Sequence, residues 1–180
     1  PPSYEYIASS GGIFVDMMIH DFDMARFLSG SEVVEVSAAG AVLCDEMFAR
    51  ANDVDTAVVT LRFANGALGV IDNSRRSGFG HDQRVEVMGS KGCLMDQNVS
   101  NTNVLYLNEQ GIVAEPVQYF FLERYNSAFV EEMRQFAQVV RGERDSPVTG
   151  FDGLQAVLIA EAAARSWHSG KFEKVEQVKI

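Results

Sequence analysis

Apolar residues recur along this chain at two different spacings, and each change of spacing marks a boundary between elements. The first residues look extended and end in the loop Ser9-Ser10-Gly11-Gly12. Helical spacing then runs over residues 13–28 and stops at Ser29-Gly30, which predicts a helix. Residues 33–43 alternate apolar and polar with small side chains and predict a strand; residues 44–53 are acidic and read as a loop or frayed helical turn. The period-two signal is clearest in Thr56-Ala57-Val58-Val59-Thr60-Leu61-Arg62-Phe63, where Ala57, Val59, Leu61 and Phe63 share a face. Asn65-Gly66 follows, a pair suited to the two positive-φ positions of a type I′ turn, and residues 68–75 return as the partner strand. Such a two-residue loop sets Phe63 opposite Leu68 and Leu61 opposite Val70. It leaves Val58, Thr60, Gly69 and Ile71 on a second, partly covered face.

Residues 84–88 and 92–95 predict a second hairpin turning at Gly89-Ser90-Lys91, and residues 104–107 and 112–117 two more short strands. Helical spacing returns over residues 124–141, with Phe129, Met133, Phe136 and Val140 on one face and Gly142 as a stop. Thr149-Gly150-Phe151-Asp152 is a capping-box pattern with Asp in place of Glu. The helix it opens runs through Leu154, Leu158, Ala162 and Arg165 to Trp167 and ends by Gly170; a final strand is expected over 173–178. Strands clustered by hairpins, with the helices segregated, indicate an α+β fold. The expectation is a largely antiparallel (mixed) open sheet with helices packed on one face, in one domain spanning residues 1–180.

Composition narrows the partners. With 47% apolar and 22% charged residues the chain is globular and can bury one sizeable core. A net charge of -10 repels nucleic-acid phosphates and anionic membranes, so neither is an expected partner; a neutral or cationic small molecule suits it better. No apolar run approaches the roughly 20 residues of a membrane span, no signal peptide is visible, and the default location is cytoplasmic. Cys44 and Cys93 sit among apolar neighbours and are expected as buried free thiols. The start, Pro1-Pro2-Ser3-Tyr4, reads like the end of a linker, so the chain is expected to be a fragment of a longer one.

Candidate chemistry concentrates on the first long helix. At about 100° per residue, Asp16, His20, Asp23 and Phe27 fall on one stripe of an otherwise apolar surface. Carboxylates and an imidazole on a buried helix either satisfy one another or line a cavity. Asp16, one turn before His20, can accept from one ring nitrogen, fix the tautomer and stabilise the imidazolium. The other nitrogen is then free to take a proton, as a general base requires. The residues alone leave a functional and a structural pair equally open, and a metal site lacks a third ligand by spacing. Arg75 and Arg76 follow a strand; paired arginines can contact a phosphate or carboxylate, but the expectation is that they face solvent or an oligomer interface. Trp167-His168 is expected to pack, and Tyr119-Phe120-Phe121 to be buried against a partner.

Ser10-Gly11-Gly12-Ile13-Phe14-Val15-Asp16-Met17-Met18-Ile19-His20-Asp21-Phe22-Asp23-Met24-Ala25-Arg26 resembles the catalytic helix of the Gfo/Idh/MocA oxidoreductases, in particular of inositol 2-dehydrogenases. Asp53-Val54-Asp55-Thr56-Ala57 leading to Phe63-Ala64-Asn65-Gly66-Ala67 resembles the family's central hairpin. Asn73-Ser74-Arg75-Arg76 and the stretch from Asp82 to Gly92 resemble the segment after it, and residues 124–171 fit its tail. The likeness covers nearly the whole chain but only the family's C-terminal domain.

It implies that an N-terminal Rossmann domain, absent from this chain, binds NAD or NADP, and that the open sheet face builds a homo-oligomer. It implies that His20 accepts the proton of a substrate hydroxyl and that Asp16 orients and polarises the site. A catalytic lysine in a Glu-Lys-Pro motif would belong to the Rossmann part; this chain has neither that motif nor a Gly-x-Gly-x-x-Gly opening a helix. No cofactor is therefore expected in this chain, and the fragment alone is expected to be inactive. The implied reaction oxidises a ring hydroxyl of myo-inositol or a related polyol to a ketone, in inositol catabolism.

Phe79-Gly80-His81-Asp82 stands where inositol dehydrogenases often have Tyr-Gly-Tyr-Asp. His81 is thus either an exposed loop residue or a substrate ligand replacing a tyrosine, and Met17 is the other substrate-binding candidate. Two alternatives are a non-catalytic binding or oligomerisation module of the same fold and a sibling dehydrogenase acting on another sugar.

Overall fold

The computed structural model describes residues 2–178. In chain order its elements are α1 (Tyr4–Ser9), α2 (Gly12–Asp16), α3 (Ile19–Ser29), β1 (Val33–Ala41), α4 (Met47–Arg50), β2 (Thr56–Phe63) and β3 (Leu68–Ser74). These are followed by β4 (Val85–Gly89), β5 (Gly92–Asp96), β6 (Leu105–Asn108), β7 (Gly111–Ala114), α5 (Phe121–Arg124), α6 (Asn126–Val140), α7 (Gly150–Ser169) and β8 (Glu173–Lys174). The chain forms two compact units, one running up to Arg76 and resuming at Val148, the other spanning Ser77–Pro147.

The first unit is built on a four-stranded sheet of order β3-β2-β1-β8, antiparallel at every pairing. The alternation in β2 is realised: Ala57, Val59, Leu61 and Phe63 are buried, and Val58, Thr60 and Arg62 face outward. Ile13, Met18 and Phe22 from α2–α3, Val33 and Val36 from β1, and Ile159 from α7 complete the core, each 0% exposed. Burying side chains of this size stabilises the fold by roughly 1.5–3 kcal/mol apiece.

The inward face of α7 is Gln155, Ala156, Ile159, Ala160, Ala162, Ala163 and Ser166. Of the apolar residues that mark the predicted helix, Ala162 is buried, Leu158 partly buried and Leu154 exposed. The alanines let the helix lie close on β1. The capping box forms as predicted, with Asp152 accepting from the Thr149 N–H at 2.8 Å. Strand β8 pairs with only Glu35 and Val36, so the predicted strand over 173–178 shrinks to two residues. The Ala38 N–H, beyond its reach, donates instead to Ser166 Oγ at 2.9 Å. Buried Arg26 ties the end of α3 to the start of α7 through Glu32 at 2.8 Å and Asp152 at 3.3 Å.

The β2–β3 register differs from the expected one by one residue. Arg62 pairs with Leu68, Leu61 with Gly69 and Thr60 with Val70. The loop has three residues: the Phe63 N–H meets the Ala67 carbonyl and the Gly66 N–H meets the Phe63 carbonyl, both at 3.0 Å. Gly66 has φ 88° and Asn65 is not among the positive-φ residues, the pattern of a type I turn followed by a left-handed glycine. A one-residue shift exchanges faces. Leu68, Val70 and Asp72 therefore join Val58, Thr60 and Arg62 on an exposed face, while Gly69 and Ile71 turn toward the core.

The second unit holds the hairpins β4–β5 and β6–β7, close to their predicted limits, and the helices α5 and α6. Phe129, Met133, Phe136 and Val140 keep the predicted spacing on α6 but are exposed. Cys44 and Cys93 are free, as expected, but exposed. Cys44 lies on the turn after β1, and Cys93 on the two-stranded β4–β5 ladder, where apolar neighbours in sequence do not supply a second layer.

Candidate functional site

The predicted first helix is broken, and the break decides where its polar residues go. After the five residues of α2, the N–H groups of both Met17 and Met18 bond the Ile13 carbonyl, at 3.1 and 2.9 Å. The Met18 bond spans five residues, a π-type wide turn. The Met18 carbonyl then accepts the Phe22 N–H at 2.9 Å and α3 begins. A wide turn inserts one residue, worth about 100° of helical phase. Asp16 and His20 consequently leave their common stripe, and the hydrogen bond available to an unbroken helix is not made. Asp16 turns inward, with its side chain 13% exposed, whereas His20 is exposed. Met17 sits at the turn, half-buried against the core.

Asp16 is engaged on both oxygens. The Tyr6 hydroxyl of α1 donates to Oδ1 and Arg75 Nη1 donates to Oδ2. The carboxylate that takes its hydrogen bond holds the Tyr6 phenol above its ordinary range, helped by the same negative charge. Arg75 is not on the surface, as its place after a strand suggested: its side chain is 7% exposed. Its Nη2 faces Asp53 Oδ2 at 3.7 Å, and its guanidinium lies 5.9 Å over the Phe48 ring. Asp53 also caps α2, accepting the Ile13 N–H on Oδ1 at 3.0 Å. This close approach needs glycine at position 12, where φ is +82° and a Cβ would stand 3.0 Å from Asp53 Oδ1. Asp55 fixes the opposite side of the loop, receiving the backbone N–H groups of Leu43, Cys44 and Asp45. Its carbonyl takes the Arg75 N–H at 2.7 Å.

Among the described residues the His20 ring has no hydrogen-bond partner, so both nitrogens are open to a ligand. Asp21, beside it, accepts from the Asn73 amide at 2.7 Å. Burial pushes the Asp21 carboxyl above its ordinary range, against the pull of the Asn73 bond and of His20. Asp23, the third member of the predicted stripe, pairs with Arg26 at 3.2 Å. No group of three or more possible metal ligands occurs among the described residues.

His81 belongs to the second unit. Its Nε2 lies 3.2 Å from the Tyr125 hydroxyl, and the rings stand edge to face. Burial and the charge of Arg124 push its pKa below the ordinary imidazole value, which favours the neutral ring. A neutral imidazole both donates and accepts, as a tyrosine hydroxyl does. Sequence periodicity gave no sign of Tyr6, Asp53, Arg75 or Tyr125 as site residues. An inward-facing Asp16 on an apolar helix did require a cation, and that is the one signal that pointed toward Arg75.

Gly78-Phe79-Gly80 lies in irregular backbone between β3 and β4 and opens no helix. No helix among the described residues is long and apolar enough to cross a membrane.

The profile described as "Oxidoreductase family, C-terminal alpha/beta domain", of the Gfo/Idh/MocA group, matches residues 4–176. A myo-inositol 2-dehydrogenase of Thermotoga maritima is 52% identical over 178 residues, covering 99% of this chain and 53% of that protein. The crystal structure of a probable dehydrogenase from Thermotoga maritima superimposes with a TM-score of 0.95 at 52% identity, covering 99% of this chain and 54% of that one. That of a scyllo-inositol dehydrogenase from Lactobacillus casei, with bound NAD(H) and scyllo-inositol, gives 0.85 at 28% identity, over 93% of this chain and 49% of that one. The chain spans about half the length of the curated relatives it matches.

Proposed function

Because the chain belongs to the Gfo/Idh/MocA oxidoreductase family, as its C-terminal α/β domain, we propose that it is the substrate half of a dehydrogenase. The full protein oxidises a ring hydroxyl of myo-inositol or a related polyol to the ketone, with NAD or NADP as hydride acceptor. The observation that carries this reading is His20: an exposed imidazole with both nitrogens open, two residues beyond a wide turn whose preceding carboxylate is held by Arg75 and Tyr6.

His20 takes the hydroxyl proton as the carbon–hydrogen bond breaks. Asp16, ion-paired with Arg75 and bonded by Tyr6, anchors the turn that carries His20 and is not a hydrogen-bond partner of the ring. The nicotinamide, when bound, would supply the hydride-accepting carbon, and the residues of this chain act on the proton and on the polyol. Met17 offers an apolar contact at the turn; His81, beside Tyr125, is carried over from the family likeness as a residue that exchanges hydrogen bonds with a polyol hydroxyl. The exposed row Val58, Leu68 and Val70 supports a homo-oligomer built through the sheet. We place the enzyme in the cytoplasm.

A sibling activity on another sugar is favoured by one specific feature, His81 where inositol dehydrogenases often carry tyrosine. Assaying the full-length protein with NAD and with NADP against myo-inositol, scyllo-inositol and aldose sugars decides between them. Oxidation of an inositol in preference to the aldoses supports the proposal, and oxidation of an aldose alone overturns it.

A further inference from the structure

Two arginines are buried in the first unit, and they are built differently. Arg26 places Nε and Nη2 on Glu32, both at 2.8 Å, in a paired fork. Arg75 bonds Asp16 through Nη1 alone, while Nε and Nη2 are buried without a hydrogen-bond partner among the described residues. A buried guanidinium with Nε unbonded and Nη2 in only a long ion pair with Asp53 costs stability, and an apolar side chain of similar volume would commonly serve packing as well or better. The geometry around Arg75 gives it a role beyond packing.

Asp53 and Asp16 hold the two ends of α2. Asp53 caps its start through the Ile13 N–H, and Asp16 is its last residue. A helix of five residues has no stability of its own; anchors at both ends must hold it. Arg75 lies between those anchors, bonded to Asp16 and 3.7 Å from Asp53. Its own backbone is fixed to the Asp55 carbonyl. Downstream of Asp16 only the wide turn separates this clamp from His20.

We infer that Arg75 is a positioning residue for His20: it clamps Asp16 against Asp53 and thereby sets where the wide turn delivers the imidazole. The inference rests on the dehydrogenase reading. Lysine offers a point charge in place of a planar fork and does not reproduce the fork's fixed spacing between the two carboxylates. Methionine removes the charge and keeps most of the volume.

The test uses the full-length protein with myo-inositol and NAD, comparing wild type, Arg75→Lys and Arg75→Met. Arg75→Met is expected to lose about 100-fold in kcat, the scale of a displacement of about 1 Å at a reacting group, with KM changed by less than about threefold. Arg75→Lys is expected to recover part of that loss, staying roughly 10-fold below wild type. Amide hydrogen exchange supplies a readout independent of turnover: residues 13–20 exchange faster in Arg75→Met while α7 keeps its protection. Faster exchange throughout the first unit means a merely structural role and overturns the inference. So does wild-type kcat in Arg75→Lys, a result that stands even if Arg75→Met does not fold. An inactive wild type overturns the dehydrogenase reading and this inference with it; an active wild type with unaltered variants overturns this inference alone.

Discussion

Asp55→Asn probes the loop that brings Asp53 and Arg75 together. Asp55 is 0% exposed. Its Oδ1 accepts from Leu43 N and Thr56 Oγ1, both at 2.9 Å, and its Oδ2 from Cys44 N at 2.7 Å and Asp45 N at 3.0 Å. An asparagine must point its amide nitrogen at one of these pairs. The cheaper choice faces Thr56, whose hydroxyl can turn to accept, and it strands the Leu43 N–H. One lost charge-assisted bond and three weakened ones cost about 3 kcal/mol, or roughly 6–12 °C in Tm for a chain of this size. The effect has a pH signature. Burial raises the Asp55 carboxyl, but the three backbone N–H groups and Thr56 outweigh it, and the folded pKa lies below its ordinary value. In the window below the unfolded value of about 3.9 the unfolded chain binds the extra proton, so stability rises with pH. The contribution is complete above that value and is lost as pH falls through the folded pKa. Urea denaturation of wild type and Asp55→Asn from pH 7 down to pH 3 should give a gap that is widest at neutral pH and narrows in acid. Equal midpoints at pH 7, or a gap independent of pH, would refute the assignment.

Gly12→Ala forces a side chain into φ +82° and against Asp53 Oδ1 at 3.0 Å. It should cost about 1–3 kcal/mol in urea denaturation and depress polyol oxidation well beyond what that loss explains; wild-type turnover would show that the α2 cap does not matter. Arg26→Ala removes the paired fork on Glu32 and should destabilise the protein by about 1–2 kcal/mol, since the carboxylates left behind are partly solvated, with kcat at saturating substrate unchanged below the transition. His81→Phe keeps the ring and removes its hydrogen bonds; KM for the polyol should rise about tenfold, one hydrogen bond's worth, with kcat within a few-fold. An unchanged KM would place His81 outside the polyol site.

Local chemistry was legible wherever it was unambiguous. The alternation of β2, the Thr149–Asp152 box and the stop at Gly30 each act within a few residues and reappear in the fold. Asn65-Gly66 is compatible with two loops that differ by one residue, and the choice depends on which face of β3 meets the core; the turn sequence does not carry that information. The wide turn at Met17-Met18 contains neither glycine nor proline, so nothing in its composition announces a break. It is the long-range grip of Arg75 and Tyr6 on Asp16 that accompanies it. Arg75 lies 59 positions from Asp16, beyond the reach of any periodicity, which is why a residue that reads as solvated after a strand turns out to be buried. His20 was legible as chemistry because a histidine on an apolar helix is conspicuous. Its separation from Asp16 was not, since it depends on a single inserted residue.

In the proposed mechanism His20 takes the substrate proton while Arg75 and Tyr6 hold Asp16 in place. Turnover of full-length His20→Ala on the polyol that the wild type oxidises tests it most directly. The variant should lose about 100-fold or more in kcat, as expected for loss of a general base, with the urea midpoint unchanged because the ring is exposed. Turnover within a few-fold of wild type would contradict it.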